Sequence, residues 1–216
     1  MTNEIEMGKD ITGTETETKR RILASALAIF SEKGYHLATM AEIAEAAQVG
    51  KGTLYWHFAS KEDLFAGIVE ELTRGINLKL EAVLKRPDRP FPDLLLAFIR
   101  ECLAYSYHHR QLVRLFISAP PGFSMELREK LRKWRIQFLA LNSELIRIGL
   151  RTGYLRPGIQ VEKVVTALTG ILFAFGGRQL LEENWQQVEA EAFFIKDLLL
   201  EGIANQCRGD ESEKKI

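Results

Sequence analysis

Residues 38–64 read ATMAEIAEAAQVGKGTLYWHFASKEDL, from Ala38 to Leu64, and this stretch decides the fold. Its first half sets Met40, Ile43, Ala44 and Ala47 on one side at spacings of three and four, the pattern of a short helix over about 39–46. Its second half, over about 50–58, turns Val49, Leu54 and Phe58 inward and leaves Lys51, Thr53, Tyr55, Trp56 and His57 to face out. Ala41, Ala44, Ala46 and Ala47 are small enough for two helices to cross closely. Two short helices joined by a three- or four-residue turn make a helix-turn-helix. The second helix of such a pair enters a DNA major groove about 12 Å wide while the first crosses the backbone. Ser60 followed by Glu62 and Asp63 marks the next helix start, a capping hydroxyl and then acids in the first turn.

Outward from this stretch the whole chain reads as all-α. Upstream, Ile22, Leu23, Ala26, Leu27 and Phe30 form a helical face that Gly34 stops, while residues 1–17, with Glu4, Glu6, Asp10, Glu15 and Glu17 against Lys9 alone, read as a mobile acidic arm. Downstream, Leu64, Phe65, Ile68, Leu72, Ile76, Leu80 and Val83 give a long helix ending near Arg86. Leu94, Leu95, Phe98, Cys102 and Tyr105 form the next face, with Pro92 suited to its first turn, and residues 112–117 a short helix ended by Pro120 and Pro121. Leu127, Leu131, Trp134, Phe138, Leu141, Leu145 and Ile148 alternate steps of four and three, as in a helix gripped along its length. Two more helices follow, over 161–183 and 188–206, before a charged tail at 208–216. The six prolines fall where these periodic segments break, and no run alternates as a strand would.

Composition limits the function classes. The chain has 216 residues, 46% apolar and 27% charged, as in a packed globular protein rather than a disordered one. Lysine plus arginine number 29 and aspartate plus glutamate 29, so any nucleic-acid surface has to be local. Cys102 and Cys207, the only cysteines, exclude a disulfide scaffold and fit a reducing cytoplasm. The longest uncharged stretch, 164–177, is shorter than the roughly 20 residues a membrane-spanning helix needs. No Gly-rich phosphate loop, G-x-S-x-G elbow or zinc-ligand spacing is present, so neither an enzyme, a metal site nor a cofactor is expected. His108 and His109 are adjacent and diverge on a helix.

The order Thr39, Ile43-Ala44, Gly52-Thr53-Leu54-Tyr55, His57-Phe58 and Ser60-Lys61-Glu62-Asp63-Leu64 closely resembles the DNA-binding module of the TetR family. The helix carrying Ala26, Phe30 and Gly34 matches as well, so the resemblance covers about 18–65. It departs at two positions. The family has Gly in the turn and Ser or Thr capping the recognition helix, where this chain has Gln48 and Gly50. Gln48 in an unchanged turn needs a left-handed backbone. The resemblance implies three parts: a DNA-binding domain at 18–65, a helical ligand-binding and dimerisation domain at 66–207, and a palindromic DNA operator read by a homodimer. Thr39, Tyr55, His57 and Lys61 are then expected at phosphates, and Lys51, Gly52, Thr53 and Trp56 at base edges. Within 18–65 six basic residues stand against five acidic ones, so binding rests on placement rather than a general field.

For the remainder, the resemblance implies a ligand-gated repressor whose last two helices pair with the partner. Val165, Leu168, Leu172, Phe175, Ile195 and Leu199 are the candidate dimer face. Phe98, Cys102, Tyr105, Phe116, Trp134, Phe138 and Phe173 are candidates to line a pocket for a small apolar or aromatic effector. Gly67 and Gly75 lie in the helix joining reader to sensor, as a pivot or as close helix crossings. The rival reading is a DNA-bound adaptor whose C-terminal domain grips a protein instead of a small molecule.

Overall fold

The structure is a computed structural model that describes residues 6–86, 88–110, 123–178 and 185–203. Its described elements are helices: α1 (Glu6–Lys33), α2 (Met40–Ala46), α3 (Lys51–His57), α4 (Lys61–Leu84), α5 (Phe91–His108), α6 (Met125–Arg151), α7 (Val161–Arg178) and α8 (Trp185–Ile203). The all-α expectation holds. The short helix expected at 112–117, the pocket candidate Phe116 and the charged tail lie outside the described residues.

The acidic arm expected at 1–17 needs correction from residue 6 onward, because α1 begins at Glu6 instead of near Thr18. Extending an existing helix fixes one residue per added hydrogen bond, so the stable segment from Ile22 onward can propagate backwards through a polar run.

The chain divides into two units, with α4 and α6 each lending residues to both. The first holds α1, α2, α3, α4 as far as Leu72, and residues 123–132. Its core includes Ile22, Ala26, Phe30, Ile43, Ala44, Leu54, Phe58, Leu64, Phe65 and Leu127, all buried. Tyr35 and Phe123 add an aromatic cluster, with ring centroids 5.6 Å and 5.0 Å from that of Phe65. Desolvation in this cluster, with a smaller push from the Glu62 charge, raises the Tyr35 hydroxyl to about 12. Gly67 sits where Phe58 and Leu23 close in: an added Cβ would fall 2.7 Å from the Phe58 ring.

In the second unit α5 packs against α7 and α8, and Pro92 occupies its first turn as expected. Leu80, Phe91, Leu94, Phe98, Ile99, Leu145, Ile146, Leu168 and Ile195 are among the side chains buried in its apolar core. Gly75 is likewise a close approach, its missing Cβ only 2.5 Å from the Tyr105 hydroxyl oxygen. Both glycines are accounted for by crowding, without a pivot.

The pocket candidates separate. Phe98 and Cys102 are buried, Tyr105, Trp134 and Phe138 are half-buried, and burial pushes the Cys102 thiol far above its ordinary range. Phe173 has to be withdrawn: 65% of it faces solvent, because it follows the buried Leu172 by one residue and so points away from the core. Five of the six dimer candidates fail for the complementary reason. Val165, Leu168, Leu172, Ile195 and Leu199 are buried in their own chain's core, and Phe175 packs against it half-buried. The five buried ones have no surface left for a partner, while Phe175 keeps part of its ring exposed. Among the described residues, the large apolar side chains of α7 and α8 that do face outward are Phe173, Phe193, Phe194 and Leu198.

Candidate nucleic-acid interface

Thr39 is the N-cap of α2 and forms a capping box. Its Oγ1 accepts from the Glu42 N–H at 3.3 Å, while Glu42 Oε2 accepts from the Thr39 N–H at 3.0 Å and from its hydroxyl at 2.9 Å. The pattern Thr39-x-x-Glu42 carried this signal in the sequence, and the sequence reading missed it. Lys33 Nζ donates to the other carboxylate oxygen at 2.8 Å. That hydrogen bond, followed by those from Thr39, draws the Glu42 carboxyl down from 4.5 to about 2.

α2 ends in a Schellman turn. The Val49 N–H reaches Ala44 O and the Gln48 N–H reaches Glu45 O, both at 3.0 Å. Gln48 sits at φ +53°, the left-handed position expected of it and one that usually belongs to glycine. The turn is therefore unchanged despite the residue. Gly50 then caps α3 in extended backbone with no side-chain hydrogen bond.

α3 is held down by few residues. Leu54 and Phe58 are buried, and Val49 is half-buried. Lys51, Gly52, Thr53, Tyr55 and Trp56 are exposed, Tyr55 by 51% and Trp56 by 68%, although both rings are large enough to have packed inward. Large aromatic side chains are ordinarily covered, so their exposure sets this face apart. A Cβ on Gly52 would meet nothing within 4 Å, so nothing inside the chain requires glycine there. His57, half-buried, lies edge-on to Trp56 with ring centroids 4.7 Å apart.

Lys61 differs from the expected phosphate clamp. Its ammonium donates to the carbonyls of His36 and Ala38 at 3.0 and 2.9 Å and stands 4.8 Å from the Tyr35 ring centroid. Two of its three protons, like the Thr39 hydroxyl, are already held within the unit. Lys19, Arg20 and Arg21 on α1 are exposed. The outward set of α3 thus offers one cation, a threonine hydroxyl and methyl, a phenol, an indole and a bare stretch of helix backbone. These are groups that reach base edges and phosphates when a helix lies in a groove.

Comparison with known proteins agrees with this geometry. The model of bacterial regulatory proteins of the tetR family matches residues 22–68. An uncharacterised helix-turn-helix transcriptional regulator of Bacillus subtilis, YhgD, is 28% identical over 65% of this chain and 73% of its own length. The transcriptional repressor KstR2 of Mycobacterium tuberculosis is 27% identical over 71% and 77%. Among solved structures, the fatty acid degradation regulator FadR of Bacillus halodurans superposes with a TM-score of 0.78 at 22% identity, covering 86% of this chain and 95% of that one. FadR of Bacillus subtilis in complex with stearoyl-CoA gives 0.76 at 21%, covering 85% and 98%.

Proposed function

The chain belongs to the TetR family of transcriptional regulators, and on that premise we propose that it is a ligand-released repressor reading a two-fold symmetric operator as a homodimer. The observation that carries this reading is the outward face of α3, where Tyr55 and Trp56 are exposed beside Lys51 and Thr53. Lys51, Thr53 and Trp56 address base edges, with Thr53 suited to a thymine methyl and Lys51 to guanine acceptors. Tyr55 and His57 address phosphates, aided by the third proton of Lys61 and by exposed Lys19, Arg20 and Arg21. The backbone of Gly52 approaches the groove wall without a side chain in the way.

One recognition helix reads only a short half-site, so two copies about one helical turn apart give the needed specificity. The outward apolar side chains Phe173, Phe194 and Leu198 support α7 and α8 as the pairing surface. A small, largely apolar or aromatic effector in the second unit fits its apolar core, and one structural neighbour, FadR of Bacillus subtilis, is described with stearoyl-CoA. Release follows if the effector favours a dimer whose recognition helices no longer match the half-site spacing, which takes roughly 1–3 kcal/mol of coupling.

Selection of DNA from a randomised pool tests the reading. The expected result is a two-fold symmetric site whose retention is lost when Tyr55 and Lys51 are both replaced by Ala. Retention of no common sequence at low salt overturns it and favours the adaptor that grips a protein.

A further inference from the structure

Asn142 lies in the middle of α6 with none of its surface exposed. Its Nδ2 donates to the Phe138 carbonyl at 2.8 Å, which fixes the orientation of the amide, and its Oδ1 has no partner among the described residues. Along the same helix Leu145 and Ile146 belong to the apolar core of the second unit, and Phe138, Leu139 and Leu141 pack against it. Leucine at position 142 would suit that core without stranding an acceptor, and asparagine is a poorer helix former besides. Two further buried oxygens lack partners among the described residues: Asn77 Oδ1 on α4 and Thr169 Oγ1 on α7, helices that contribute Leu80, Leu168 and Leu172 to that core. Buried polar atoms are ordinarily satisfied, so two amide oxygens and one hydroxyl left open on three helices of one core need an explanation.

We propose that Asn142 Oδ1 is the recognition acceptor of the effector site in the second unit and selects an apolar molecule carrying one neutral hydroxyl or N–H donor. The proposal rests on the small-molecule reading of that unit given above. All three open groups are uncharged. A carboxylate end would meet the Asn142 oxygen with like partial charge and find no proton there, whereas a hydroxyl or N–H supplies what the oxygen lacks. An internal water supplies the same chemistry, so the test separates the two.

The probes are 1-decanol and 1-methoxynonane, isomers of equal size of which only the first carries an O–H. Their affinities are measured by calorimetry for the wild-type protein and for Asn142→Leu, alongside melting temperatures. The expected result is that the wild type binds the alcohol about tenfold more tightly than the ether. Asn142→Leu is expected to lose that preference, keep its affinity for the ether and melt no lower. Equal affinities in the wild type overturn the proposal and leave the acceptor to an internal water, and this comparison decides even if Asn142→Leu does not fold. A preference that survives in a folded Asn142→Leu also overturns it. Uptake of neither isomer overturns the small-molecule reading itself, and the proposal with it.

Discussion

The ammonium of Lys61 reaches back 23 residues to the carbonyl oxygen of Ala38, 2.9 Å away, and to that of His36 at 3.0 Å. The first turn of α4 thereby ties down the loop that leads into the Thr39 cap of α2. Lys61→Met keeps the stem over Tyr35 and deletes the donors, leaving two carbonyls to water. We expect a loss of about 1–2 kcal/mol in stability, measured by denaturant unfolding, together with weaker operator binding. A lysine that served DNA phosphates alone would give the second effect without the first.

Gly52 is a helical residue with open space where its Cβ would be. Alanine there removes backbone entropy from the unfolded chain and should raise stability by about 0.5–1 kcal/mol. The same methyl stands on the face that enters the groove. Gly52→Ala is therefore expected to melt higher and bind operator at least about tenfold more weakly. If operator affinity is unchanged, α3 does not approach DNA through this stretch.

The Glu42 carboxylate is drawn below its ordinary 4.5 to about 2 by Lys33 and then Thr39, so its folded form holds a proton less readily than its unfolded form. The stability it contributes is fully present above the unfolded value and is lost as pH falls from about 5 towards 2. Glu42→Gln cannot titrate. Melting temperatures of wild type and Glu42→Gln should differ most near pH 6 and converge as pH is lowered through 3. The carboxylate is solvent-exposed, so the gap will be small and will narrow in high salt. A gap that widens on acidification contradicts the assignment.

Local chemistry explains which features were legible in the sequence. Thr39, Gln48, Gly50 and Ser60 act on their own backbone within a few residues, and α2, α3 and the start of α4 fall where those residues put them. Even the left-handed Gln48 follows from turn geometry alone. What the sequence hides is which neighbour a side chain meets. Nothing near Gly75 announces the Tyr105 hydroxyl, and nothing near Lys61 announces Ala38. α7 and α8 are apolar on more than one side, so periodicity could not separate inner from outer faces. Leu172, expected on a pairing face, is buried for that reason, and Phe173, expected in a pocket, faces outward.

That outer face gives the sharpest test of the dimer. Phe194 is 57% exposed on α8, one turn from exposed Leu198, and its ring centroid lies 6.1 Å from that of Phe175 on α7. Exposed aromatic groups of this size lose little by substitution in a monomer but dominate an interface when buried near its centre. Phe194→Glu would place a charge there in each of two copies facing one another, an unpaired charge that association must desolvate. We expect the folded stability of the single chain to hold while dimer dissociation strengthens by at least about 100-fold, read by sedimentation over a range of concentrations. Affinity for a symmetric operator should fall with it, whereas affinity for an isolated half-site should not. Glutamate at the buried Leu168 would instead unfold the unit, so a variant that stays folded yet monomeric is what distinguishes a pairing surface from a core. A dimer that persists in Phe194→Glu removes this face from the interface.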